Sequence, residues 1–343
     1  MQRYLLNIAY IGTKYNGVTK NVNIKDHYSI ECALRQAFEK IKNVHNVEIS
    51  PSSRTDAGVH ATNTTFHIDV NRDSPLPPWV ITKKLNLKLS ALREQIRILK
   101  TVPVSSEFDS RRVATCRTYL YRFAVCKEPV PKGMNPKIYH SSMFIPIEES
   151  FRCYFLLNEG FDIERVKDTA KQMEGVHDFR TFMKVSKEQK TLHPRFCLRR
   201  MDSITVQPGM TLATRFNYEK TLAHFDFWNI EFRCRAFFYR QILNVNFQIR
   251  NMVGVLLAVG NGKINQRDVY EMLTIPSKKS WNYQVPTAPS PGLYLTNVEY
   301  PQEVLAEHIR SFKEDEETTG NENSIDDDDD DDNDEIKIKK GPL

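Results

Sequence analysis

The chain has 343 residues, 40% of them hydrophobic and 27% charged, which is the make-up of a folded body and excludes a wholly disordered chain. Its net charge of +5 hides a segregation: residues 314–335 hold 14 acids and no base, while residues 1–313 carry 45 Lys and Arg against 29 Asp and Glu, a net of +16. A body that basic implies a polyanionic partner, of which nucleic acid is the usual one.

Residues 3–10 predict a strand bounded by Gly12. Residues 29–42 predict an amphipathic helix, with Ser29 as N-cap and Ile30, Ala33, Leu34, Ala37, Phe38 and Ile41 on one face. Strands are predicted over 64–70, 95–102 and 119–125. The Pro-rich stretch at 129–136, with Pro146, predicts a loop region over 129–160 between an N-terminal domain at 1–128 and a C-terminal domain at 161–300.

The second half opens with a helix capped near Asp162, burying Ile163, Val166, Ala170 and Met173. Strands near 197–206 and 224–232 follow, then a long helix over 237–259 ending at Gly260 and a short helix at 265–273. Strand, helix, strand, strand in each half predicts an α+β fold with mainly antiparallel sheets. Residues 314–343 form a low-complexity acidic tail, predicted to be disordered. Cys32, Cys116, Cys126, Cys153, Cys197 and Cys234 stand far apart without metal-ligand spacing. They read as reduced thiols of an intracellular protein, with cytosol, nucleus and mitochondrion all open. No apolar run reaches membrane-spanning length, and no signal or transit segment is recognised.

The segment from Ser52 to Ala61 packs polar residues and a glycine between a helix and a strand, so it is a loop. Arg54 and His60 flank a single carboxylate, Asp56, and basic neighbours favour the charged form that a nucleophile or base requires. Judged by composition alone, Asp-Ala-Gly is more often just a turn.

The whole string Arg54-Thr55-Asp56-Ala57-Gly58-Val59-His60 resembles the signature that TruA-type transfer RNA pseudouridine synthases carry around their catalytic aspartate. The resemblance continues in order through most of residues 3–300: the segment 108–121 with its Arg117-Thr118-Tyr119, Gly175-Val176-His177-Asp178-Phe179, Arg250-Asn251-Met252-Val253-Gly254, and the 288–295 ending. By this resemblance Asp56 is the catalytic carboxylate. Tyr119 is the aromatic that holds the base and could relay the C5 proton, and Arg250 is the arginine that pairs with the aspartate. Arg54, Thr55, His60, Arg111 and Arg117 belong with the substrate-binding residues, and Arg112, Lys83–Lys84 and Arg199–Arg200 are candidate phosphate contacts. His177 and Asp178 read instead as a structural hydrogen-bonding pair at a helix end.

The implied fold is two ferredoxin-like, RRM-like halves that join one continuous antiparallel sheet, with helices on one side and a central basic cleft. The implied substrates are uridines of the anticodon stem–loop, positions 38–40, in a transfer RNA bound by a homodimer. Uridine becomes pseudouridine without gain of electrons or atoms, so the reaction requires no redox cofactor and no metal. Competing readings are a non-catalytic RNA-binding homologue and a synthase acting on other RNAs, such as mitochondrial messages.

One departure bears on activity. Phe238-Tyr239-Arg240-Gln241-Ile242 is followed by seven residues, 243–249, that the family pattern lacks before Arg250. Seven residues add about 10 Å of helical rise with little rotation. Either Arg250 still faces Asp56 and the preceding turns shift, or the pairing is lost, or the insert is an error in the predicted coding sequence, which is the reading slightly favoured. Val18 and the longer polar loop after Gly17 also depart from the pattern, which bears on the choice of target uridine.

Overall fold

A computed structural model describes residues 1–19, 28–72, 74–129, 132–133, 135, 145–158, 160–183, 197–213, 223–235 and 245–310. The acidic segment at 314–343 lies outside them, as does 236–244 with its Phe238–Ile242 motif. Residues Met1–Arg310 form one compact unit.

The elements in chain order are β1 (Gln2–Tyr10), α1 (Ile30–Glu39), β2 (His45–Pro51), β3 (His60–Asn71), α2 (Pro78–Ala91), β4 (Ile96–Val104) and β5 (Cys116–Pro129). Then come β6 (Tyr154–Asn158), α3 (Ile163–Gln172), β7 (Gly175–Asp178), β8 (Leu198–Pro208), β9 (Phe225–Arg235), α4 (Val245–Gly260), α5 (Gln266–Thr274), β10 (Leu293–Glu299) and α6 (Gln302–His308). The described strands form one ten-stranded sheet in the order β4-β1-β3-β10-β5-β9-β8-β7, with β2 also on β3 and β6 also on β5. Pairing is antiparallel except for β10 with β3 and β5 with β6. The fold is therefore a mixed α and β body built on a large, mostly antiparallel sheet. Among the described residues no helix is long and apolar enough to cross a membrane.

Local chemistry sets several boundaries. Ser29 caps α1 by accepting from the Cys32 amide at 3.2 Å, and Asp162 caps α3 by accepting from the Glu164 and Arg165 amides. Both satisfy amides that a helix's first turn leaves without partners. The apolar face of α1 predicted from periodicity is the buried one, with Ile30, Ala33, Leu34, Ala37 and Phe38 all enclosed. One core runs beneath the whole sheet, from Leu6 and Phe66 through Tyr121 and Phe232 to Leu256 and Val269.

The pivotal strand for the site is β10. Its Tyr294 and Leu295 pair with His60 and Ala61 at the start of β3, while on its other edge Leu293 to Glu299 pair with Tyr121 to Cys116 of β5. The loop that ends at His60 therefore hangs over the seam where β3, β10 and β5 meet.

Candidate active site

Alternation along β5 sends Arg117, Tyr119 and Tyr121 to one face of the sheet, and all three meet the seam. Arg117 is buried and donates from Nε to Ser53 Oγ at 2.6 Å and from Nη2 to Ser52 O at 2.7 Å. It thereby fixes the backbone entering the Asp56 loop. Tyr119 is fully buried, and that burial raises its pKa, so the phenol stays protonated at neutral pH. Tyr121 donates to Pro289 O at 2.9 Å.

The loop is held from a second side by β1 and the turn after it. The Tyr10 hydroxyl and Thr55 Oγ1 are 2.8 Å apart in a buried contact. Val18 N donates to Thr55 O at 3.2 Å, and Gly58 N donates to Tyr15 O at 3.3 Å. Gly58 takes a left-handed φ of 76°, and a Cβ there would lie 2.8 Å from Ser290 Oγ. Only glycine serves both needs, a conformation L side chains rarely adopt and an approach to the 286–292 segment.

Helix α4 closes the site. Arg250 Nη1 lies 3.4 Å from Asp56 Oδ2, with about a fifth of each side chain exposed. Arg250 Nε donates to Ala288 O at 2.7 Å, while its own carbonyl accepts from Ala288 N at 3.1 Å. One turn on, a Cβ at Gly254 would lie 2.2 Å from Pro286 O, so glycine permits the helix to press against this segment. With the inserted residues present, the pairing of Arg250 with Asp56 is kept. Residues 245–249 extend α4 at its start, and Asn246 Nδ2 donates to Arg54 O.

His60 does not supply positive charge to the loop. Its Nδ1 accepts from Gly12 N at 3.0 Å, and Nε2 faces Phe151 O at 2.9 Å and Pro291 O at 3.1 Å. Two carbonyls at one nitrogen and an amide at the other fix the neutral Nε2–H tautomer. Burial pushes its pKa down to about 4. The ring stacks on Tyr294 at 4.6 Å. It is a strut at the loop's exit, turned inward because it opens β3 opposite β10.

The remaining basic candidates separate. Arg54 and Arg111 are exposed. Partial desolvation, then the like charges of Arg54 and Arg117, lower the Arg111 pKa, which marks a cluster of cations beside the loop. Arg112 is exposed and pairs with Asp109 at 3.3 Å. Lys83 and Lys84 lie on α2, away in sequence from every loop residue named above. Arg199 is buried, with its pKa brought down to about 10 by burial, so it is not an outward phosphate contact; Arg200 pairs with Asp202 at 3.0 Å. His177 and Asp178 do not bond each other: His177 Nε2 meets Glu174 O at 2.7 Å, and Asp178 caps the following turn through Arg180 N at 3.0 Å.

Sequence reading missed Tyr10, Ser53, Asn246 and Ala288, which brace the loop and the arginine. Ser53 and Ala288 lie within segments already singled out, but nothing local assigns the bracing role, because each acts through a partner distant in the chain.

The chain is similar to known proteins along most of its length. A family model described as tRNA pseudouridine synthase matches residues 169–301. The chain is 33% identical over 302 residues to the human tRNA pseudouridine synthase-like 1, covering 87% of this chain and 90% of that protein. It is 30% identical over 304 residues to the Xenopus laevis tRNA pseudouridine synthase-like 1, covering 87% and 91%. It is 29% identical over 303 residues to the tRNA pseudouridine synthase A of Caulobacter, covering 88% of this chain and 100% of that protein.

Proposed function

The chain belongs to the tRNA pseudouridine synthase family, and from that premise we propose that it isomerises uridine to pseudouridine in transfer RNA, with Asp56 as the catalytic carboxylate. The observation that carries the reading is the approach of Arg250 to Asp56 at 3.4 Å across 194 residues of sequence. Nothing in local structure requires those two side chains to meet.

In the reaction the N1–C1′ bond breaks, the base rotates, and a C5–C1′ bond forms; C5 gives up its proton and N1 gains one. A carboxylate oxygen serves each route to that exchange, whether addition to C1′, addition to C6, or removal of a sugar proton. Arg250 sets the carboxylate's direction while itself fixed by Ala288, so the negative oxygen is oriented before substrate arrives. Tyr119 is a neutral phenol beneath the loop, suited to lie against the base and to hand on a proton rather than to act as a resting base. Reaching a stacked uridine requires flipping it out, at a cost of a few kcal/mol. Phosphate contacts to Arg54 and Arg111 offset part of that cost.

The same reading takes the sheet as two joined ferredoxin-like halves with a basic cleft at the β3–β10–β5 seam. It takes the substrate as uridines of the anticodon stem–loop, bound by a homodimer inside the cell. The decisive measurement is pseudouridine formed in transfer RNA by wild type and Asp56→Asn. The substituted protein should fold and bind RNA as wild type does, yet lose on the order of 10⁴-fold in turnover. Normal turnover by Asp56→Asn refutes the assignment.

A further inference from the structure

Phe151 stands in a tight turn beside the loop just described. Its φ is 60°, a left-handed conformation that glycine and asparagine adopt readily and phenylalanine rarely. Its side chain is 63% exposed. Strain and exposure both work against folding here, since the ring gains little packing and the backbone carries a local penalty. An outlier of that kind points to function.

The turn is held firmly all the same. Glu149, fully buried, pairs with Arg122 at 3.1 Å and accepts from Thr211 Oγ1 at 2.7 Å. Arg122 also donates to Arg152 O at 3.0 Å and Met210 O at 2.9 Å. These contacts bring residues 147–152 beside residues 210–212. Ile147, Met210 and Leu212 are exposed there together with Phe151. Phe151 O is bonded by His60 Nε2, and Arg152 O also accepts from the Tyr294 hydroxyl at 2.8 Å. The backbone that presents the ring is thus tied to the exit of the Asp56 loop.

We propose that Phe151, with its chain neighbour Arg152 and the exposed Ile147, Met210 and Leu212 of the two adjoining segments, is a stacking surface for an unpaired base of the bound RNA. This inference rests on the reading of the chain as an enzyme acting on RNA. Exposed aromatics next to arginine are what single-stranded nucleotides stack upon. The net charge of +16 on residues 1–313 favours a polyanion over another copy of the same chain. Four side chains also fall short of the roughly 800 Å² per partner that a stable protein interface buries. A base flipped for reaction leaves neighbours that have lost a stacking partner, and an aromatic at the loop's exit replaces it.

The test uses full-length Phe151→Asn and Phe151→Trp, titrated with a transfer RNA transcript and followed by anisotropy, thermal unfolding and sedimentation. Asparagine suits the left-handed φ, so Phe151→Asn should melt at the wild-type temperature or above it while binding RNA about tenfold more weakly. Phe151→Trp should bind as wild type does. Unchanged affinity in Phe151→Asn overturns the proposal. So does a lowered melting temperature, which makes the ring structural, or conversion of a dimer to a monomer, which makes the patch a self-association surface. Because affinity is read directly, wild type that binds RNA but forms no pseudouridine sinks the Asp56 reading and leaves Phe151 scored on its own; wild type that does not bind RNA sinks both.

Discussion

Glu149 and Asp56 each meet an arginine brought from another part of the chain, Arg122 at 3.1 Å and Arg250 at 3.4 Å. Glu149 Oε1 also accepts from Arg122 Nη2 at 3.3 Å, Thr211 Oγ1 and the Leu212 amide, and the side chain is 0% exposed. Around Asp56 a fifth of the side chain stays open, while fixed contacts also hold its loop through Ser52, Ser53, Thr55 and Gly58. A fully buried carboxylate that accepts four hydrogen bonds holds a fold together. One whose surroundings are fixed while its oxygens stay reachable can meet a substrate. The difference separates a structural ion pair from a candidate catalytic one more sharply than the two N–O distances do.

The contrast is broken most directly at Glu149. Glu149→Ala strands the Arg122 guanidinium in a buried site and should cost about 3–5 kcal/mol of stability, whereas Asp56→Asn should change stability by no more than about 0.5 kcal/mol. Denaturant unfolding of both proteins measures the two numbers. If Glu149→Ala loses less than about 1 kcal/mol, its four hydrogen bonds are not the lock described here. The contrast is sharpened at Arg250. Arg250→Gln removes the cation at Asp56 and loosens the clasp on Ala288, and turnover should fall about a hundredfold. Arg250→Lys should recover little of it, because a single ammonium cannot reach Asp56 while also holding Ala288 O. Wild-type turnover by Arg250→Lys would show that only charge matters there.

Much of this arrangement was readable before the fold, and the failures have physical causes. Ser29 and Asp162 announced two helix starts because capping is local chemistry. The Asp56 loop and Arg250 were legible as motifs, though no periodicity could say that they would meet. Helix α2 was missed because Leu85, Leu87 and Leu89 alternate as a strand does; in the structure Leu85 and Leu89 are buried and Leu87 is 58% exposed. Strand β10 was missed as an element because its identity lies in pairing with β3 and β5 at once, across more than 170 residues. His60 was read as a basic flank because its type is visible in the sequence and its inward direction is not. The inserted residues before Arg250 left the pairing open, since helical rise alone does not say which end of a helix is anchored. Ala288 and Pro286 supply that anchor.

The smallest expected effect lies at His60, which joins the two regions: it closes the Asp56 loop and bonds the carbonyl of Phe151 in the Glu149 turn. With its folded pKa pushed down to about 4 by burial, against an ordinary value near 6.5, the unfolded chain takes up the proton first as pH falls. The histidine's contribution is therefore fully present above about pH 6.5 and is lost as pH falls toward 4, amounting to about 2 kcal/mol at pH 5. The structural cause is specific, since a proton on Nδ1 would face the Gly12 amide hydrogen that it now accepts. Unfolding free energies at pH 7 and pH 5 should drop by about 2 kcal/mol more in wild type than in His60→Gln, because the carboxylates that also titrate are common to both. Equal drops would mean that His60 is protonated in the fold, and the loop's exit would then carry the positive charge that its geometry denies it.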